Sequence, residues 1–135
     1  MKVLKFGGTS VAKSESLKLV VDIVKKSTEQ KQLIVVSALG GVTNLLVEMA
    51  NAASHGDDDY KKHLEIIQER HLNIILDFVP VTQQSGIISF LRSQINELES
   101  VLESLFTLKE LTPKSLSKIS SFGEFLSSTI INELI

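Results

Sequence analysis

Residues 33–46 read LIVVSALGGVTNLL. The first six positions form an almost wholly apolar, largely β-branched run, which suits a strand buried on both faces of a parallel sheet covered by helices. The run (33–38) ends at LGGVTN (39–44), and Leu45, Leu46, Met49 and Ala50 or Ala53 then restart a helical period. The same pattern occurs upstream. KVLKF (2–6) reads as a short strand that stops at Gly7-Gly8, and Leu17, Val20, Val21 and Val24 follow at i, i+3, i+4 and i+7, a helical apolar face. Polar STEQKQ (27–32) separates the two units. A strand–helix–strand unit whose crossover is a helix sets its strands parallel, so the predicted architecture is α/β with a mainly parallel sheet.

The remainder is helical in pattern. SHGDDDY (54–60) is a turn, with Asp57, Asp58 and Asp59 available to cap the next helix. Over 60–78, Leu64, Ile67, His71, Ile74 and Phe78 recur three and four apart, and Pro80 stops the helix. Over 86–106, Ile88, Leu91, Ile95, Leu98, Leu102 and Leu105 keep the same alternation. Two such helices joined around VPVTQQSG (79–86) predict a long antiparallel helical hairpin. Arg92, Glu97, Glu99 and Glu103 fall on its solvated face. In LTPKSLSK (111–118), Thr112 reads as an N-cap with Pro113 at the first helical position. A last helical period runs through Leu126, Ile130 and Ile131 or Leu134. Only two clear strands are present, so either other chains complete the sheet or the segment is the front of a longer polypeptide; the second is the expectation.

Length and composition narrow the classes. The 135 residues suit one domain, and 43% hydrophobic content fills a core. A net charge of −2 without a basic cluster gives no general attraction for nucleic acid or an anionic membrane. There are no cysteines, which excludes disulfides, thiolate metal sites and thiol catalysis. No signal-peptide pattern and no long apolar span appears, so the expectation is a soluble, cytoplasmic protein.

The chemistry is expected at the carboxyl ends of the strands, where ligands bind in open α/β sheets. Both Gly-Gly turns lie there. Glycine allows positive φ and a close backbone approach, and N–H groups at a turn and helix start cradle anions. Lys5 adds a mobile positive charge, and Thr9 and Ser10 add hydroxyls, a set that suits phosphate groups. The pattern is neither G-x-x-x-x-G-K-[ST] nor G-x-G-x-x-G. A second reading stands beside it: Gly7-Gly8 permits tight strand–helix packing and Lys5 is solvated. In the second turn, Ser37 and Thr43 face a polar ligand, or Thr43 is the N-cap of a helix from Asn44. Glu124 follows Gly123 near a helix start, where it holds an ammonium group or complements the helix dipole. His71 reads as a packed, hydrogen-bonded core histidine. His55, His63 and His71 have no metal-ligand spacing and the Asp triplet lacks the rest of a calcium loop, so no metal site is assigned to protein side chains.

Taken together, KFGGTSV (5–11), VVSALGGVTNLL (35–46) and SFGEFLSS (121–128) resemble the three successive motifs of the aspartate kinases of the amino-acid kinase family. The resemblance spans the whole segment and only the front of a family catalytic domain, so residues 1–135 are expected to be its N-terminal portion. It implies a partial three-layer αβα sandwich. It also implies transfer of the γ-phosphoryl group of ATP, with Mg2+, to the side-chain carboxylate of L-aspartate, giving 4-phospho-L-aspartate, the first step toward lysine, threonine and methionine. By this resemblance Lys5 contacts the transferred phosphoryl, Gly7 and Gly8 give backbone contacts to phosphates beside Thr9 and Ser10, and Thr43 and Glu124 bind aspartate, with Ser37 lining the pocket. Mg2+ is held mainly by the nucleotide and by residues outside this segment.

In the family, the nucleotide-base pocket, a catalytic aspartate, a substrate arginine and ACT-type regulatory domains come later in the chain. The Met1 start and the long hairpin resemble longer members, some of them fused to homoserine dehydrogenase. The isolated segment is expected to lack kinase activity, and its exposed strand edge to favour a homo-oligomer. Two other readings remain: a non-catalytic module that binds an anion or a partner, and a kinase of another acidic or carbamate-like substrate on the same fold. The coding sequence past Ile135 separates module from enzyme.

Overall fold

The structure is a computed structural model that describes residues 1–27 and 31–135. The centre of the polar break, residues 28–30, lies outside them. In chain order the elements are β1 (Lys2–Phe6), α1 (Ser14–Lys26), β2 (Gln32–Val36), α2 (Val42–Ser54), α3 (Tyr60–Phe78), α4 (Gln84–Leu108) and α5 (Pro113–Leu134), with a 3-10 turn over Val81–Gln83.

The two strands pair parallel, with Leu4 opposite Ile34, Lys5 opposite Val35 and Phe6 opposite Val36. The Ser37 N–H donates to the Phe6 carbonyl at 3.1 Å, one rung beyond the strand. β2 is therefore shorter than the 33–38 run, because the backbone leaves the ladder at Ser37 to enter the glycine turn. Its burial also departs from the expectation. Strand side chains alternate between faces: Phe6 and Val36 pack on the helical core, whereas Val3, Leu33 and Val35 on the other face are 56%, 51% and 42% exposed. The run is apolar on both sides, yet the described residues cover only one.

That cover is helical. α2, α3, α4 and α5 pack on one another, and α5 touches β2. Their shared core includes Leu46, Met49, Ile67, Leu91, Leu98, Leu102, Ile119, Leu126 and Ile130. α3 ends at Phe78 as Pro80 requires: Val79 is extended, with φ −87° and ψ 130°, the conformation imposed on a residue before proline. α4 extends two residues past each predicted end and buries Ile87, with Ile88 half-buried. The ring centroids of Tyr60 and Phe106 sit 5.9 Å apart and join the two helices of the hairpin. Thr112 caps α5 as expected, its Oγ1 accepting from the Ser115 N–H at 3.1 Å. The aspartates before α3 behave differently: Asp59 makes no side-chain cap, and Asp57 Oδ1 accepts from the Asp59 N–H at 2.9 Å. No helix among the described residues is long and apolar enough to cross a membrane.

His71 is fully buried in α3. Its Nδ1–H donates to the Ile67 carbonyl at 2.7 Å, which leaves Nε2 as a buried lone pair without a partner. Burial first, and the neighbouring Arg70 charge, pull its pKa from 6.5 down to about 4 against the opposing effect of the Ile67 hydrogen bond. The unfolded chain therefore binds this proton more readily than the folded one between pH 6.5 and 4. Stability is complete above pH 6.5 and falls as the pH drops toward 4, by about 3 kcal/mol from this group. Urea unfolding at pH 7.5 and pH 4 should give a fall larger by about that amount than in His71→Leu; equal pH dependence in the two proteins would refute it.

Candidate functional site

Three stretches far apart in sequence meet at the carboxyl ends of the strands, and glycine lets them meet. A Cβ at Gly40 would stand 2.6 Å from Ala12 Cβ, 3.1 Å from Ala12 Cα and 3.2 Å from the Gly8 carbonyl oxygen. The two glycine turns are thus in contact with each other. A Cβ at Gly123 would stand 2.8 Å from Ala38 Cβ and 3.3 Å from Leu46 Cδ1, so α5 lies directly on the second turn. The Ser127 hydroxyl, buried, donates to the Ser37 carbonyl at 2.7 Å and ties α5 to the end of β2.

Of the two freedoms glycine allows at these turns, positive φ is used by Gly41 alone of the four residues, at 81°, where it precedes α2. Gly7, Gly8 and Gly40 do not. Gly40 is needed for proximity. A Cβ at Gly7 would meet nothing within 4 Å and one at Gly8 only the Ala38 carbonyl at 3.8 Å, so the first turn presents bare backbone to open space. The Ser10 N–H closes that turn on the Gly7 carbonyl at 3.0 Å, and Thr9 is exposed beside it.

Two structural readings of the polar residues also fail. α2 begins at Val42 and its cap position is Gly41, so Thr43 lies inside the first turn and is not an N-cap. α5 runs unbroken from Pro113 to Leu134, so Glu124 is mid-helix, where the dipole of a helix start does not act. Instead, Thr43 and Glu124 line one groove of about 480 Å³ with Pro113, Leu116, Ser117, Ser120 and Ser121. Hydroxyls and a single carboxylate over an apolar floor suit a small ligand that carries a cationic head. Lys5 is not in this lining. It is exposed, and strand alternation gives it the open face of the sheet, shared with Val3, Leu33 and Val35. Ser37 is half-buried at the sheet end and contributes its carbonyl to the α5 tether.

Arg70 escaped the sequence reading. It is one of two arginines in the chain and sits half-buried on α3. Its Nη2–H donates to the Ala12 carbonyl at 3.4 Å, and its Nη1 lies 3.8 Å from where a Cβ of Gly41 would stand. The available signal was its seven-residue spacing from Asp77, whose Oδ2 accepts from the Ser14 hydroxyl at 3.3 Å. The carboxylates of Asp57, Asp58 and Asp59 cluster within 4.8 Å of one another, but beyond the far end of α2, about 20 Å along that helix from the glycine turn.

The amino acid kinase family model matches residues 1–135. Aspartokinase 1, chloroplastic, of Arabidopsis thaliana is 37% identical over 131 residues, which are 95% of this chain and 22% of that protein. The bifunctional aspartokinase/homoserine dehydrogenase 1, chloroplastic, of the same plant is 29% identical over 98% of this chain and 15% of its own length. Among solved structures, E. coli aspartokinase III in complex with aspartate and ADP superposes with a TM-score of 0.84 at 26% identity, over 99% of this chain and 28% of that one. The chain thus spans well under a third of each of these proteins.

The contact between turns yields a compensation test. Gly40→Ala should destabilise the fold by about 1–3 kcal/mol through overpacking. Adding Ala12→Gly removes the 2.6 Å clash and leaves the Cα of residue 12 at 3.1 Å and the Gly8 carbonyl at 3.2 Å, so it should restore part of the loss. Denaturant midpoints of the three variants measure this; wild-type stability in Gly40→Ala would show that the turns do not press on each other.

Proposed function

Because the chain belongs to the amino acid kinase family, we propose that it is the N-terminal portion of an aspartokinase catalytic domain, which phosphorylates the side-chain carboxylate of L-aspartate with ATP. One observation carries the reading: Thr43 and Glu124, 81 positions apart in the chain, line a single groove beside two glycine turns held in contact. The aspartate and ADP bound by E. coli aspartokinase III support the choice of ligands.

The chemistry asks little covalent work of the protein. A side-chain carboxylate is already ionised at neutral pH, so no general base is required. One of its oxygens attacks the γ-phosphorus, the bond from that phosphorus to the β–γ bridging oxygen breaks, and ADP leaves with that electron pair. The obstacle is bringing an anion to an anion, so catalysis rests on positioning and charge compensation. Glu124 holds the substrate ammonium and Thr43 donates a hydroxyl, orienting the distal carboxylate. Gly7 and Gly8 offer backbone N–H groups across open space, with the Thr9 and Ser10 hydroxyls adjacent. Lys5 compensates charge on the phosphoryl oxygens. It reaches the phosphates from the open face of the sheet, so nucleotide and amino acid approach from different sides of the strand ends. Magnesium bound with the nucleotide would supply further charge neutralisation; Glu124, the one carboxylate in the described groove lining, is assigned to the substrate ammonium and not to the ion.

The test is aspartate-dependent ADP formation by the complete polypeptide, with hydroxylamine trapping of the acyl phosphate. Lys5→Ala should lower kcat by about 100-fold or more; near-normal kcat would remove its role. Glu124→Gln should raise the KM for aspartate by about tenfold and leave that for ATP nearly unchanged, as loss of a charge-assisted contact predicts. Equal losses for both substrates would make Glu124 a structural residue. The 135-residue chain alone should show no turnover, because the family resemblance places the nucleotide-base pocket later in the chain; measurable turnover would overturn that assignment.

A further inference from the structure

We propose that Arg70 is a positioning residue that clamps the first glycine turn to the second from α3. The structural content stands on its own; the catalytic consequence rests on the function proposed above.

Residues 7–13 link β1 to α1 with few bonds of their own. Among the described backbone hydrogen bonds outside regular elements, only Ser10 N–H to the Gly7 carbonyl closes within this loop. Val11 is buried in the core, the Lys13 carbonyl accepts from the Leu17 N–H at 2.9 Å, and further anchors come from α3. Arg70 and Asp77 are two helical turns apart, about 10.5 Å along the axis and within about 20° of each other around it. The first donates to the Ala12 carbonyl at 3.4 Å and the second accepts from the Ser14 hydroxyl at 3.3 Å, so one helix face holds the end of the loop and the first residue of α1. At 3.4 Å the Arg70 bond is long. The same guanidinium stands beside the second turn, 3.8 Å from the point a Cβ of Gly41 would occupy, near where Gly40 brings the two turns together.

The electrostatics point the same way. Arg70 is half-buried, yet the one ion pair among the described residues is Lys62 with Asp59. Its charge is therefore not spent on a carboxylate and strengthens a bond to a carbonyl oxygen. A planar fork can touch two backbone segments at once, which a lysine ammonium cannot. Displacing the clamp lets the phosphate-facing turn drift from the turn that leads into Thr43. Misplacement of about 1 Å costs on the order of 100-fold in a reaction that depends on alignment.

Hydrogen exchange on the complete polypeptide tests the clamp without any activity. Arg70→Met keeps the stem packing and removes the fork. The Ser10 amide, the one in this loop with a backbone acceptor among the described residues, should exchange about tenfold faster or more, while those of 91–105 in α4 stay unchanged. Unchanged exchange at Ser10 would overturn the proposal, and so would uniform acceleration that includes α4. In the kinetic arm, Arg70→Met should lower kcat/KM for ATP by about tenfold or more, with KM for aspartate within about twofold, and Arg70→Lys should recover less than half of the loss. Wild-type kcat/KM for ATP in Arg70→Met would overturn the catalytic consequence. If the wild-type polypeptide phosphorylates no aspartate, the function proposed above fails, and the exchange result still decides the clamp.

Discussion

The structure depends on two places where no side chain can stand. At Gly40 and Gly123 a single methyl group would sit 2.6 Å and 2.8 Å from neighbouring carbons, inside any real contact distance. These two absences let the β1–α1 turn, the β2–α2 turn and the middle of α5 share one small volume. Glycine in a helix interior costs roughly 1 kcal/mol relative to alanine. Gly123 accepts that cost in a 22-residue helix because close packing against Ala38 and Leu46 returns more. The groove with Thr43 and Glu124 is a by-product of that packing: α5 lies near enough to α2 for their polar flanks to form one wall.

Much of this was legible in the sequence because the signals were periodic. Leu91, Ile95, Leu98, Leu102 and Leu105 can be read off as one buried stripe, and all are buried. Pro80, Thr112 and Pro113 act through local sterics and hydrogen bonding, and each sits where it was expected. The errors have physical causes. Leu33 and Val35 look like Ile34 and Val36 in a β-branched run, and only tertiary cover decides which pair is buried. Thr43 resembles a cap, but Gly41, with its positive φ, starts the helix two residues earlier. Glu124 follows a glycine that looks like a boundary and is instead a packing notch. Arg70 carried no local signal beyond its spacing from Asp77, since its hydrogen-bond partner Ala12 lies 58 residues away.

The helical hairpin accordingly has a second use beside filling the core. Its inner face buries leucine and isoleucine, and the edge of α3 reaches the end of the first turn through Arg70 and the start of α1 through Asp77. The first glycine turn makes one backbone hydrogen bond within itself, from the Ser10 N–H to the Gly7 carbonyl. Part of its support therefore comes from outside, through the Arg70 bond to the Ala12 carbonyl.

The uncovered face of the strand pair bears on biosynthesis. β2 is complete at Val36, whereas α5 is not complete until Leu134. At roughly 5–20 residues per second of translation, the strands wait on the order of 5–20 s for the last helix that packs against them. Throughout that interval Val3, Leu33 and Val35 lack a cover among the described residues. The nascent chain thus offers a short apolar ribbon early, the kind of segment a holdase chaperone retains while a polypeptide is still on the ribosome.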